Sequence, residues 1–360
     1  MATSPNDLPS WTLWMPAASW ITLIAGLMLP GHGWLTAISA ITLVGAVLAA
    51  VHHAEVVAHK VGEPYGTLVL AIAVTVIEVA LIVSVLVSAG PEKSALARDT
   101  VFAAVMLVCN GIVGICLLVG GLRHHEQDFR ASGATAALAV LGALMVITLV
   151  LPNYTEAAPG PQFTPRQLAF SASASLVLYG CFVFAQTVRH RDYFLMEGSG
   201  EDVHAPPPST KIALTSSGML LVCLVAVVGL AKLLSPSVEA AVASMGAPDA
   251  AVGIVIAALV LLPECMAAVR AANANRLQTS LNLALGSALA CIGLTIPAVA
   301  VVTTVIGQPL TLGLDPRDTV LLLLTLLTST LTLSLGKATF LQGMVHLAIL
   351  GAYLMLAFGP

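Results

Sequence analysis

The apolar run from Leu68 to Val87 contains a single charged residue, Glu78, close to its middle. A run of this length is long enough to cross the hydrocarbon core of a bilayer as a helix. A charge at that depth costs about 3 kcal/mol, so such residues are functional candidates by default. We therefore expect Glu78 to bind a cation or a proton. The alternative is a structural carboxylate that is hydrogen-bonded within the helix bundle.

A second apolar run, Ala250–Val269, also carries one carboxylate, Glu264, directly after Pro263. Arg270 follows six residues later, so either the helix continues past an arginine that reaches toward the interface, or Glu264 lies nearer the cytoplasm. Two such runs in corresponding positions of two halves are typical of transporters built from inverted repeats.

The composition places the whole chain in a membrane. Only 9% of its 360 residues are charged and its mean hydropathy is +0.97, whereas a soluble domain is about 25% charged. The chain has no Lys or Arg before its first apolar run, so it lacks the basic region of a cleaved signal and this run is expected to be a retained helix. We expect membrane lipid as a partner, no nucleic acid and no bound cofactor.

The apolar segments predict an all-α membrane protein with about eleven transmembrane helices. The widest polar gap, 188–211, contains three successive prolines and reads as a linker. One helix stands alone in residues 1–32, and five helices follow in each of 33–187 and 212–360. An odd number of helices per half inverts one half relative to the other. The predicted segments are 11–29, 33–58, 64–89, 94–121, 134–151, 167–187, 212–234, 238–272, 280–303, 317–334 and 336–357.

The distribution of Lys and Arg predicts the orientation, because cytoplasmic loops carry more of both. Nine lie on the side of the N-terminus and five on the other, which favours a cytoplasmic N-terminus and linker and a C-terminus outside. The nine are Lys60, Arg123, Arg130, Arg189, Arg191, Lys211, Arg270, Arg276 and Lys337, and the five are Lys93, Arg98, Arg166, Lys232 and Arg317.

Glu78 and Glu264 have the chemistry of an exchange site. Carboxylate oxygens suit hard cations such as Ca²⁺ or Na⁺. Two facing carboxylates resist joint ionisation in a low dielectric, so they titrate as a pair and could hold either two protons or one Ca²⁺. Asn110 and Ser287, each in the helix after a carboxylate helix, could add neutral oxygen ligands. The alternative for both is close helix packing through small residues.

A histidine cluster precedes the first carboxylate helix. His52, Glu55 and His59 share a helix face, and His53 adjoins them. With Glu63, they are candidates for proton or cation access; a transition-metal site, a proton sensor or an interfacial helix end are the alternatives. The spacing is not HExxH, which argues against a membrane zinc protease. For Lys337 and His346, near the end of the chain, the sequence indicates no partner.

Several stretches resemble the calcium/proton exchanger branch of the cation/calcium exchanger superfamily, in particular its bacterial sodium-potassium or calcium/proton antiporters. Val74–Glu78 and Val260–Glu264 fall where that family has Gly-Asn-x-x-Glu. Asn110-Gly111 and Ser280–Ala288 look like the helices that follow, and 55–63 like the approach to the first repeat. The chain departs from the family at both Gly-Asn positions, which leaves the choice among Ca²⁺, Na⁺ and K⁺ open.

This resemblance implies a helical antiporter with two inverted repeats and a central pair of glutamates. We expect a proton-driven cation antiporter of the bacterial inner membrane, with Ca²⁺ as the first-choice ion and Na⁺(K⁺)/H⁺ exchange as the alternative. A membrane-embedded metal-dependent enzyme that uses the histidine cluster is a remote alternative, and a passive channel is a further one. Oligomeric state, regulation and stoichiometry stay open.

Overall fold

The computed structural model describes residues 8–29, 32–62, 65–89, 94–156, 158–195, 208–244, 246, 248 and 250–358. Glu63, one of the expected access residues, lies outside this part of the chain. The helices and the two short strands have the following bounds: α1 Ser10–Met28, α2 Gly33–Val61, α3 Tyr65–Ala89, α4 Leu96–His124, β1 Gln127–Asp128, α5 Ala131–Tyr154, α6 Pro165–Arg189, α7 Thr210–Ser244, α8 Ala250–Asn273, α9 Leu277–Ile306, α10 Pro316–Leu333, β2 Lys337–Ala338 and α11 Phe340–Phe358.

The eleven helices confirm the predicted all-α membrane fold. Within the described residues, nine of them are long and apolar enough to cross a membrane. α3 contributes a shorter described apolar segment, Ile72–Val83, and α10 begins with the charged pair Arg317 and Asp318. Most charged residues lie at helix ends. The central parts of the helices are therefore apolar and can contact lipid or other helices.

One predicted helix boundary is wrong. The predicted segments 212–234 and 238–272 place a break between 234 and 238, but α7 continues through this gap, including Pro236, to Ser244. A proline removes only one backbone donor, and membrane helices tolerate such losses. The Ser235 hydroxyl donates to Glu239 Oε1 one turn later (2.9 Å), within the same helix. The chain turns instead at Gly246, whose positive φ of 68° suits glycine.

The chain packs as two compact units. The first unit contains α1, α2, α3 and α7, and the second contains α4 to α6 and α8 to α11. These units follow the packing of the helices and do not test the predicted repeat boundaries, which stay a prediction. In the first unit, α1 and α7 both pack against α2. Hydroxyl groups join α1 to α2: Ser19 Oγ donates to the Thr42 carbonyl (3.1 Å), and Thr22 Oγ1 lies 2.9 Å from Thr42 Oγ1.

The second unit is built around α4, the most enclosed of its membrane-spanning helices. Glycines let other helices approach α4 closely. A Cβ at Gly343 of α11 would lie 2.5 Å from the Leu118 nitrogen, and one at Gly253 of α8 would lie 2.9 Å from the Thr100 nitrogen. Small residues at such contacts are typical of helix packing in membranes.

The second unit contains reciprocal pairings between the two halves of the chain. β1 follows α4, the third helix of the first predicted repeat. It pairs antiparallel with β2, which follows α10, the fourth helix of the second predicted repeat. Conversely, Gln162 follows α5, the fourth helix of the first repeat. It forms an antiparallel bridge with Thr311, which follows α9, the third helix of the second repeat. Likewise α4 packs on α11, and α9 packs on α6. An inverted repeat produces such exchanged partners at opposite ends.

The fifth helices of the two predicted repeats begin with the same capping pair. At the start of α6, the Thr164 nitrogen and hydroxyl both donate to Gln167 Oε1, at 2.9 Å each. At the start of α11, the Thr339 nitrogen and hydroxyl donate to Gln342 Oε1, at 3.0 and 2.6 Å. Each pair satisfies a backbone donor that the first helical turn leaves open. The shared device supports the correspondence of these two helices.

Candidate functional site

Glu78 is a buried carboxylate near the middle of α3. Its side chain is 3% exposed, and the neighbouring Ile77, Leu81 and Ile82 are equally enclosed. Burying a carboxylate among apolar side chains is costly unless a partner or a proton compensates its charge. The burial of Glu78 is therefore compatible with a carboxylate whose charge is compensated by a bound cation or proton. Glu78 belongs to the first unit, whereas Glu264 lies in the second.

Glu264 lies half-buried in α8, which runs parallel to α4 along the second unit. At one end, Gly253 of α8 contacts the backbone of α4 at Thr100. At the other end, Arg123 Nη1 donates to Asn273 Oδ1 (2.8 Å), and His124 Nε2 lies 3.0 Å from the Asn273 carbonyl oxygen. The two helices therefore run in the same direction, and positions along them can be compared by counting residues from the contact of Gly253 with Thr100.

Glu264 and Asn110 therefore lie at about the same level of the second unit. Glu264 follows Gly253 by eleven residues, and Asn110 follows Thr100 by ten. With a rise of 1.5 Å per residue, these spacings correspond to about 16 Å and about 15 Å from the shared contact. Counted from this contact, the carboxylate of α8 and the carboxamide of α4 lie at similar depth on two adjacent helices.

Ser287 of α9 lies close to this level. Ser280 Oγ donates to the Ala268 carbonyl, which fixes α9 against α8. Ser287 follows Ser280 by seven residues, a rise of about 10 Å, and Glu264 precedes Ala268 by four, a rise of about 6 Å in the same direction. The structure thus places Glu264, Asn110 and Ser287 within about one helical turn of one another in depth.

Asn110 lies in a widened segment of α4, where Leu107–Ile112 forms π-helical turns. Such turns are rare, and they are frequent at functional sites. The Asn110 side chain is fully buried and forms hydrogen bonds to two other helices. Its Nδ2 donates to Thr325 Oγ1 of α10 (2.9 Å), and its Oδ1 lies 3.2 Å from His346 Nδ1 of α11. The sequence suggested Asn110 as a ligand but gave no sign of these partners.

His346 has the partners that the sequence left unassigned. It is fully buried in α11, with Nδ1 facing Asn110 and Nε2 3.2 Å from Thr332 Oγ1 of α10. A lone histidine in an apolar helix was the available signal. Its partners come from segments 14 and 236 residues earlier, so the sequence alone could not join them.

The sequence pattern of one family, described as sodium/calcium exchanger protein, matches residues 32–188 and 215–359. The chain belongs to this exchanger family. Over 321 residues, this exchanger is 50% identical to the putative ionic transporter y4hA of Sinorhizobium fredii, with 88% of the chain and 87% of the relative covered. Over 322 residues, it is 36% identical to the sodium-potassium/proton antiporter ChaA of Escherichia coli, with the same coverage of both chains.

Two solved structures share the fold of the exchanger. Native YfkE matches with a TM-score of 0.73 and 17% identity, covering 97% of this chain and 99% of that one. The H⁺/Ca²⁺ exchanger CAX matches with a TM-score of 0.72 and 16% identity, covering 97% and 89%. At these identities the likeness shows the fold alone. Family membership confirms the predicted resemblance and makes the protein a multi-pass membrane transporter rather than an enzyme.

The histidine cluster of the exchanger divides between buried and exposed positions on α2. His53 is fully buried, with Nε2 3.1 Å from the Thr12 carbonyl oxygen, and the ring of His52 lies 5.9 Å from that of Trp11. Glu55 and His59 are exposed. Among the residues that the structure describes, no three His, Cys, Asp or Glu side chains converge so as to hold a metal ion. A role in proton or cation access stays a prediction for His52, His53, Glu55 and Glu63.

Proposed function

We propose that this exchanger is a proton-coupled cation antiporter that exports Ca²⁺ in exchange for protons, with Glu78 and Glu264 as the coupled site. Family membership supports cation exchange. A relative from Synechocystis, 27% identical over 255 residues, is named a Ca²⁺/H⁺ antiporter. The observation that carries the proposal is the common depth of Glu264, Asn110 and Ser287, which brings a carboxylate and two neutral oxygens to one level.

The chemistry of exchange follows from these groups. Ca²⁺ is bound by six to eight oxygens, of which carboxylates supply the charge and carbonyl, hydroxyl or water oxygens complete the number. In the proposed cycle, Glu78 and Glu264 bind Ca²⁺ when both are ionised and release it when protons take its place. Since a carboxylate in a low dielectric is stable only with a cation or a proton, an empty ionised site is disfavoured. This preference couples the two fluxes.

Na⁺(K⁺)/H⁺ exchange is the second candidate. The relative with 36% identity is named a sodium-potassium/proton antiporter. In addition, the residues just before Glu264 include Val260 and Leu261, which offer no side-chain oxygen. A site with fewer protein oxygens is less favourable for a divalent ion that requires many ligands. Direct comparison of Ca²⁺, Na⁺ and K⁺ in one assay separates the two candidates.

We place the exchanger in the bacterial inner membrane, with the N-terminus and the 188–211 linker in the cytoplasm and the C-terminus outside. Support comes from its bacterial relatives and from the larger number of Lys and Arg on the side of the linker. With this orientation, cation export and proton entry use the proton gradient across that membrane. Protons, the transported cation and lipid are the partners that this function requires.

Glutamine variants in everted vesicles test the proposed site. Glu78→Gln and Glu264→Gln keep the size of the side chain but cannot titrate, so each is expected to eliminate cation-induced proton movement at normal protein levels. Aspartate at either position withdraws the charge by about one methylene and should leave partial exchange with weaker cation affinity. Glu239→Gln, in α7 and outside the proposed site, is the matched control. Near-normal exchange in either glutamine variant would remove that residue from the mechanism.

A further inference from the structure

A chain of hydrogen bonds in the second unit fixes the orientation of the Asn110 carboxamide. Asn110 Nδ2 faces two groups on one side, Thr325 Oγ1 at 2.9 Å and Met106 Sδ at 3.8 Å. Thr325 Oγ1 in turn donates to Met106 Sδ (3.4 Å). A thioether sulfur accepts but does not donate hydrogen bonds, so only the carboxamide nitrogen can hydrogen-bond to it, and the structure places the nitrogen on this side. The carboxamide oxygen therefore points toward α11.

This orientation also determines the form of His346. The Asn110 oxygen cannot donate, so His346 Nδ1, 3.2 Å away, must carry a hydrogen and donate it. In the neutral ring Nε2 is then an acceptor, and the hydroxyl of Thr332, 3.2 Å away, can donate to it. These four side chains can thus be joined by hydrogen bonds that run in one direction, from Thr332 through His346 and Asn110 to Thr325, and the Cys109 carbonyl is a further acceptor for the ring. Each donor meets an acceptor without a charge on the ring.

The packing of α11 on α4 keeps the imidazole in place. Gly343, one turn before His346, contacts the α4 backbone at Leu118 and Gly114. A Cβ at Gly114 would in turn lie 3.2 Å from the Cβ of His346. Because the Gly343 contacts are with backbone atoms and the Gly114 contact is with the first carbon of the His346 side chain, the ring has little freedom to move away from Asn110. The imidazole is fully buried, so water cannot replace it as the donor.

We propose that His346 is a positioning residue of the cation site, which holds the Asn110 carboxamide with its oxygen available as a ligand. The proposal rests on the proposed function, because it assigns a role at the level of Glu264. A carbonyl oxygen has two lone pairs, so one accepts the hydrogen of His346 while the other is free for a cation. Without the ring, the carboxamide can rotate and present N–H donors, which repel a cation. Groups that orient metal ligands typically change affinity by about 10-fold or more when removed.

Two amide variants of His346 test this role. His346→Asn places an amide nitrogen near the position of Nδ1, whereas His346→Gln places one near Nε2, so only the asparagine can donate to Asn110. We expect His346→Gln to raise the KM for Ca²⁺ by about 10-fold while the maximal rate stays within about twofold. His346→Asn should restore KM to within about twofold of the wild type. Purified exchanger in proteoliposomes with a fixed proton gradient provides both constants.

Thr148→Val is the matched control. Thr148 is buried in α5 of the same unit, but its hydroxyl bonds only to the Leu144 carbonyl of its own helix (2.7 Å). Its KM should therefore match the wild type. Equal KM values for the glutamine and asparagine variants, or an unchanged KM in the glutamine variant, would overturn the role of His346.

Thr332→Val keeps the test decisive if the glutamine variant does not fold. It removes the hydroxyl that supports Nε2, and its KM should exceed that of the wild type, by less than the increase of about 10-fold expected on loss of the donor; an unchanged KM would count against the proposal. A failure of the proposed function would give a different result from a failure of this inference. A wild-type protein that exchanges no cation for protons overturns the function itself, whereas wild-type exchange with an insensitive His346 overturns only this inference.

Discussion

Lys337 forms exposed ion pairs where β1 meets β2. Its Nζ lies 2.8 Å from Glu126 Oε1 and 3.5 Å from Asp128 Oδ1, and all three side chains are at least half exposed. The hydrogen bond from Lys337 to Glu126, with the nearby charges of Asp128 and Glu126, raises the pKa of Lys337 above its ordinary value. Exposed pairs of this kind contribute little to stability because water and salt screen them.

Removing the charge of Lys337 should therefore have a small effect. A lysine whose pKa is raised by folding contributes stability that is fully present below its unfolded pKa, about 10.4. That stability disappears only as the pH rises through the folded pKa, so it is constant between pH 6 and 9. We expect Lys337→Met to lower the Tm by no more than about 2 °C at low salt, and less at 1 M salt. A large decrease that persists at high salt would mean that Lys337 has a different role.

At the level of single residues, the sequence identified Glu78 and Glu264 as candidate residues but gave no sign of the hydrogen bonds around Asn110. Glu78 was evident because it is the lone charge in an apolar run, and burial is the physical consequence of that pattern. The contact between Asn110 and His346 depends on the π-helical turns of α4, which shift side chains relative to an ordinary helix. No residue type marks such turns in the sequence, so only the folded chain shows which neighbours a buried asparagine acquires.

Among the helices of the second unit, the contact of α11 with α4 depends on Gly343. A Cβ at this position would lie 2.5 Å from the Leu118 nitrogen and 2.7 Å from the Gly114 carbonyl oxygen, both of which are backbone atoms. Neither can move without displacing α4. Gly351, two turns later on α11, has no atom within 4 Å of such a Cβ. The two glycines of one helix thus differ only in what they face.

Alanine substitutions at these two glycines should have opposite effects. Gly343→Ala is expected to destabilise the protein by about 1–3 kcal/mol, since overpacking forces the helices apart. It should also raise the KM for the transported cation, because His346 lies one turn away and would lose its reach to Asn110. Gly351→Ala should be neutral or slightly stabilising, as alanine favours helix. Thermal unfolding in detergent measures both; equal Tm values would contradict the close packing of α11 on α4.

Helix existence was predictable from the sequence, whereas helix ends were less so. Long apolar runs indicate membrane helices because backbone groups must be satisfied within the hydrocarbon core. The predicted segments 212–234 and 238–272 leave a gap that contains Pro236, a residue that usually stops helices in water. In α7 the helix continues past it, and the chain turns at Gly246, where the backbone adopts a positive φ. The glycine was visible in the sequence, but nothing there ranked it above the proline.

At the largest scale, helices of the second unit that follow one another directly in the chain run in opposite directions, so the charged residues at helix ends divide between the two ends of this unit. Arg98, at the start of α4, donates to the Gly313 carbonyl (2.9 Å), and Arg317, at the start of α10, donates to the Leu356 carbonyl at the end of α11 (2.9 Å). Lys337 meets Glu126 at the opposite end. Of the described Lys and Arg of this unit, Arg98, Arg166 and Arg317 lie toward the first end, and Arg123, Arg130, Arg189, Arg191, Arg270, Arg276 and Lys337 lie toward the second.

This imbalance predicts which end faces the cytoplasm. Membrane insertion retains Lys-rich and Arg-rich loops on the cytoplasmic side, and the end with seven such residues is the one to which the 188–211 linker connects.

Reporters fused within the linker, or between β1 and α5, should therefore be active in the cytoplasm. Reporters fused after Tyr154 or after Pro360 should be active outside, because α5 and α11 both run away from the linker end. The fusion after Tyr154 is the internal control, since its position depends on one helix rather than on the full count. If the linker and Pro360 fusions reported the same side, an even number of crossings would separate them, and the assignment of five helices to the second repeat would be wrong.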